Sequence, residues 1–193
     1  MEKKTVLCLI AVVAIIVVVI FAGCIEKEGP APTLTPPPTI TAPKEMAGTF
    51  VLQVTDQPSA IDDFDILNVT VSEVMLHKTG EADSGTNETW ITLEPSNHSF
   101  DLTTLQEGNV TTIVNESVET GKYTQVRLIV ESAKGIANES MVNVTVPSGM
   151  LKVVKPFTIT ENQTVTFRFD INVVKAGEEY NVVPVIGKSG VLL

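Results

Sequence analysis

Eight of the ten asparagines in this chain begin an Asn-x-Ser/Thr triplet: Asn68, Asn87, Asn97, Asn109, Asn115, Asn138, Asn143 and Asn162. That pattern accepts N-linked sugar, and chance matching would give about two. Part of the excess is structural, because Asn-x-Thr is also a natural wet face of a strand. Several of these sites are expected to carry sugar, with Asn87, Asn97 and Asn138 foremost because they fall in polar loop stretches. Asp62, Asp63 and Asp65 crowd one turn, and Asp56 lies close in sequence. Oxygen ligands grouped in this way could serve Ca²⁺, although a plain acidic turn is the simpler reading. Met75 and His77 stand two apart, on one face of a strand, as a soft pair for Cu(I) without further ligands. Besides His77 there is only His98, and both read as solvated side chains. No Ser/His/Asp order, phosphate loop or HExxH pattern is present. Trp90, among the polar residues from Asn87 to His98, is a candidate contact for carbohydrate or protein.

The surrounding sequence says where such groups would be displayed. Lys3 and Lys4 precede an apolar run, Val6 to Gly23, which ends in Phe21-Ala22-Gly23-Cys24. Small residues before a cysteine fit a lipoprotein-processing peptidase, and the junction resembles the prokaryotic lipobox, with Phe21 where Leu is usual. Residues 1–24 are expected to be either this lipoprotein-type signal, lipidated at Cys24, or a retained membrane-spanning helix. Both place the lysines inside and the remainder outside. Residues 25–47 are a tether rich in proline and threonine, a semi-rigid spacer. Residues 48–193 are one domain's worth of chain, long enough to bury a core without staples. The only cysteines are Cys8 and Cys24, so this domain has no disulfide, thiolate site or cysteine nucleophile, which also excludes blue copper. A net charge of −10 argues against a nucleic-acid partner.

The elements from Gly48 onward follow a period of two. Phe50, Leu52 and Val54 alternate with Val51, Gln53 and Thr55; Val126, Leu128 and Val130, then Val142, Val144 and Val146, then Val165, Phe167, Phe169 and Ile171 repeat the pattern. Alternation of this kind gives strands with one buried and one wet face. It predicts an all-β, antiparallel, two-layer Greek-key sandwich of about seven to nine strands. From Ile66 to His77 the parity changes, with Leu67, Val69 and Val71 on one phase and Val74 and Leu76 on the other. A bulge near Ser72–Glu73 is expected, turning Met75 and His77 outward. Tyr123, after Gly121-Lys122, is placed like a tyrosine corner, and equally like an ordinary aromatic at a strand start. Asp101 to Gln106 suits one helical turn, and Pro184 predicts an unpaired edge in the last strand. The expected core is Phe50, Leu52, Val54, Val69, Val71, Val126, Leu128, Val144, Phe157, Val165, Phe167 and Phe169.

Taken in order, Thr55-Asp56-Gln57-Pro58, Asn68 to Val74, Ser99-Phe100-Asp101-Leu102, Gly121 to Leu128, Val146-Pro147-Ser148-Gly149 and Pro184-Val185-Ile186 resemble an archaeal and bacterial secreted domain, domain of unknown function 4382. The resemblance spans nearly all of Gly48 to Gly187. It implies an immunoglobulin-like or prealbumin-like sandwich of the kind found in lipoproteins, and brings no catalytic residues with it. The sequence therefore points to a non-enzymatic cell-surface domain without a cofactor, held to a membrane and binding an envelope protein or carbohydrate. The alternative is a small metal-binding (Ca or Cu) or hydrolytic extracytoplasmic protein using its acidic loops and His77.

Overall fold

The computed structural model describes residues 46–80 and 89–192. They form an all-β unit of two sheets, with no α-helix among them. The strands are β1 (Ala47–Asp56), β2 (Ile66–Lys78), β3 (Thr89–Leu93), β4 (Ser99–Asp101), β5 (Thr111–Glu119), β6 (Gly121–Ala137), β7 (Ser140–Val142), β8 (Val144–Thr145), β9 (Met150–Ile159), β10 (Thr164–Ala176), β11 (Glu179–Pro184) and β12 (Gly190–Val191). One sheet runs β5-β1-β10-β11-β8, with β12 also on β10; the other runs β3-β2-β6-β7, with β4 on β2 and β9 on β6. Twelve strands exceed the expected number because β4, β7, β8 and β12 are only two or three residues long.

Period two sets the core. Phe50, Leu52 and Val54 of β1 lie beside Val165, Phe167 and Phe169 of β10 in register, all buried except the half-buried Val165. Val126 and Leu128 of β6 complete the opposing layer with Val69, Val71, Val74 and Leu76 of β2, all without solvent exposure. Val144 is half-buried against this core. Phe157 of β9 ties the layers together: its ring lies 5.6 Å from Phe50, 5.3 Å from Tyr123 and 5.5 Å from Phe167. Gly135 is needed in β6 because the Phe64 ring lies on its backbone; a Cβ there would also stand 2.9 Å from Val144 Cγ2.

The β2–β6 register slips between Thr70 and Val71 and again between Val71 and Glu73, skipping Ser72, where the change of parity in the sequence requires it. The slip keeps Val71 and Val74 both inside although they lie three residues apart. The Tyr123 hydroxyl donates to the Glu119 carbonyl at 2.8 Å, which makes it a tyrosine corner. Leu102–Leu105 form one 3₁₀ turn, with Asp101 accepting from the Thr103 amide at 3.0 Å. Beyond Asn181 only β10 pairs with β11, so the Pro184 end of that strand has one unpaired edge.

One expectation is corrected. The sheets are mixed, not purely antiparallel: β1 pairs with β10 in parallel, and so does β11 with β8. Antiparallel neighbours can be joined by tight hairpins, but β1 and β10 are joined by the whole intervening chain, a crossover that a parallel pair requires.

Candidate functional site

The acidic turn does not assemble into a cation cage. Among the described residues no group of three or more His, Cys, Asp or Glu side chains is placed to hold a metal ion. Asp63 accepts from Lys175 at 2.9 Å and from the Tyr180 hydroxyl at 2.8 Å. The Lys175 bond, and then the Tyr180 bond, hold its carboxyl below the ordinary range. Asp65 accepts the Glu139 amide at 3.0 Å, capping the β6–β7 turn, and Asp62 is exposed to solvent. Of the four carboxylates expected to act together, Asp63 and Asp65 are therefore committed to separate partners and Asp62 faces solvent.

Asp56 is the exception, because it is buried at the end of β1 and neither carboxylate oxygen has a hydrogen-bond partner. The Gln57 amide beside it donates to the Ile171 carbonyl at 3.0 Å. Burial pushes the Asp56 carboxyl up to about 7; the Gln57 backbone offsets this in part, and the charges of Asp170 and Asp62 add to it. Asp170 is buried as well, and burial likewise raises its carboxyl above the ordinary range. One Asp170 oxygen accepts from Gln57 Nε2 at 2.9 Å, and the other has no partner. The Ser189 hydroxyl accepts from the Asp170 amide at 2.9 Å and donates to Val185 at 2.8 Å, folding the C-terminal segment over this spot.

The outer face of the second sheet gathers a different set of groups. Across three adjacent strands, Trp90 of β3 stands opposite His77 of β2, and His77 opposite Gln125 of β6. Arg127, two residues along β6, carries its guanidinium carbon 3.9 Å from the centre of the Trp90 ring. The His77 ring lies 4.6 Å from that ring and shares a 2.7 Å hydrogen bond with Thr124. With its amide turned to satisfy both groups, the Gln125 oxygen accepts from Arg127 Nε and, at 2.9 Å, from Nη2. Lys152 of β9 lies across from Arg127. Met75 and His77 do face outward, both half-buried, and Trp90 is half-buried on this face rather than in the core. His98 lies elsewhere, exposed, with its Nδ1 3.2 Å from the Val71 carbonyl.

Of the triplet asparagines, Asn68, Asn97, Asn109, Asn115, Asn138, Asn143 and Asn162 are all exposed. Asn138 and Asn162 sit in turns at φ of 50° and 57°. Asn172 and Asn181, which begin no triplet, are half-buried. Asn87 and Cys24 lie outside the described residues. Sequence reasoning passed over Arg127, Gln125 and Asp170. Arg127 and Asp170 were legible only as wet positions in alternating strands.

The described residues form an all-β domain of two sheets with an aromatic and basic patch on one outer face, an architecture that does not by itself specify a function. The chain belongs to the family described as domain of unknown function (DUF4382), whose model matches residues 47–184. Comparison with curated proteins gives no match, and comparison with solved structures gives none.

Proposed function

We propose that this protein is a non-enzymatic binding module displayed outside the cell, using the face around Trp90 as its contact surface. The observation that carries the reading is the placement of the chain's single tryptophan. It lies on a solvent face between an arginine and a histidine, although a core of buried aromatics was available to it. Large aromatics with a polar fringe on a rigid sheet are economical recognition groups. The anchor completes the picture: lipid on Cys24, or a retained N-terminal helix, with the Pro/Thr tether lifting the domain toward an envelope protein or carbohydrate. The exposure of all seven described triplet asparagines supports glycosylation. At the level of topology we read the sandwich as a Greek-key derivative of immunoglobulin-like or prealbumin-like type, on the strength of the Tyr123 corner.

Three measurements test this reading. Capture from envelope extracts with the full chain should yield a partner that Trp90→Ala no longer retains. Intact-mass analysis of membrane-extracted protein should find lipid on Cys24 and no Met1 to Gly23 segment. Glycopeptide analysis should find sugar on some of the exposed triplets. If the purified chain turned over a substrate, and replacing His77, Asp56 or Asp170 abolished that turnover, the protein would be a hydrolase and the binding reading would be wrong.

A further inference from the structure

We infer that the Arg127–Trp90 face receives the carboxylates of an acidic polysaccharide. This deepens the binding-module reading and rests on it. A guanidinium carries five N–H donors in a planar fork. In this protein its central carbon lies over the Trp90 ring, 3.9 Å from the ring centre, and with the Gln125 amide turned the edge formed by Nε and Nη2 is taken by the Gln125 oxygen. Two constraints on one planar group fix its orientation, so little side-chain freedom is left to lose when a ligand arrives. The opposite edge, Nη1 with the second hydrogen of Nη2, keeps the geometry that matches a carboxylate with two parallel bonds. Among the described residues Arg127 has no carboxylate partner; the two ion pairs there join Lys78 to Glu119 and Lys175 to Asp63.

The neighbours extend the same preference. Lys152 stands beside Arg127 across the β6–β9 pair, which gives two positive charges on the face of a chain whose net charge is −10. Glu73 is the nearest acidic residue along β2, and it sits opposite Ile129 rather than Arg127. The positive charge of Arg127 and Lys152 favours an anionic group at this spot, local to a chain that is negative as a whole. His77 and Arg127 stand on β2 and β6, which are paired on both sides, while β3, which carries Trp90, pairs with β2 alone among the described residues, so polyglutamate belongs among the comparison ligands. A flat surface combining a tryptophan, a histidine, a glutamine and a clamped arginine suits hydroxylated rings bearing a carboxylate, where ring faces and hydroxyls can both be met.

The test uses the full chain, purified in detergent, with polygalacturonate as the probe. Methyl-esterified polygalacturonate, dextran and polyglutamate serve as comparisons. Binding measured by titration calorimetry should occur with polygalacturonate, weaken as salt is raised and vanish with the esterified polymer and dextran. Arg127→Lys keeps the charge but loses the fork, and should weaken binding by about tenfold to a hundredfold, the loss expected for hydrogen bonds to a charged group. Unchanged thermal unfolding of that variant would show that the fold is intact. The proposal is overturned if polygalacturonate fails to bind, if the esterified polymer binds equally, if Arg127→Lys binds like the parent, or if polyglutamate is preferred. Failure of polygalacturonate while Trp90→Ala still releases an envelope partner would leave the binding-module reading standing and remove only this ligand.

Discussion

Replacing Asp56 by Asn should change how the stability of this protein depends on pH. Asp56 is 1% exposed, and neither of its oxygens finds a donor. Its carboxyl rises from an ordinary 3.8 to about 7. The folded state therefore keeps the proton at pH values where the unfolded chain has already lost it. Between about pH 4 and about pH 7 the native state binds more protons, so stability falls as pH rises through that window. The full stability contribution of this site is present below about pH 4 and gone above about pH 7. Ionising the buried group costs roughly 4 kcal/mol over that range. An asparagine never ionises, so that pH-dependent loss disappears from the variant. Its buried amide still lacks partners, a penalty of about 1–3 kcal/mol that does not vary with pH. The difference in unfolding free energy, variant minus parent, should therefore climb in the variant's favour by a few kcal/mol from pH 4 to pH 8. Urea unfolding followed by the fluorescence of Trp90, the single tryptophan, measures it across a pH series. Asp170 shifts in the same direction and its charge adds to the rise at Asp56, so a double-variant cycle with Asp170→Asn separates the two contributions. A difference that stays flat from pH 4 to pH 8 would show that Asp56 is solvated or partnered, and would refute the argument.

Other substitutions probe the frame. Phe167→Ala removes a ring packed on Phe157 and should cost about 3–5 kcal/mol in denaturant unfolding; a loss below about 1 kcal/mol would mean that face is not buried. Tyr123→Phe keeps the ring stack but deletes the bond to Glu119, and should cost about 0.5–1.5 kcal/mol by the same assay. Gly135→Ala forces the Phe64 ring and Val144 apart and should cost about 1–3 kcal/mol, as overpacking does. Lowering pH through the acid range should weaken the Asp63–Lys175 contact, because Asp63 titrates below its ordinary value; the exposed pair's small share of stability is present above that range.

Much of this fold was legible because a strand writes its burial locally. The switch of parity at Ser72 announced the bulge, and the position of Tyr123 after Gly121 fitted a corner that its hydroxyl makes. Strand β5 escaped notice because its own bulge, opposite Leu52–Gln53, buries the consecutive Ile113 and Val114 and erases the alternation. Asp170 read as wet because it alternates with Phe169 and Ile171; it is dry because the segment around Ser189 folds over the outer face. The Trp90 face could not be read at all as a unit. Its members come from three strands, and pairing partners tens of residues apart leave no trace in either local sequence. The acidic turn gave the opposite lesson: of four aspartates close in sequence, Asp63 and Asp65 took different partners, Asp62 faces solvent and Asp56 is buried without one.

The parallel pairing of β1 with β10 also has a temporal meaning. Leu52 and Phe167 are neighbours in register although more than a hundred residues separate them along the chain. The first strand to appear must therefore wait for one of the last before its inner side can be completed. Until Thr164 to Ala176 is available, β1 can pair only with β5, and Phe50, Leu52 and Val54 lack half of their packing. Contacts of such long reach make folding slow and leave apolar strands open to other chains meanwhile. A chain shortened before β10 would lose far more than one strand, since its opening strand would be left without a partner on one side. Whatever route carries this chain to its final place, the domain closes last at the seam where its beginning meets its end.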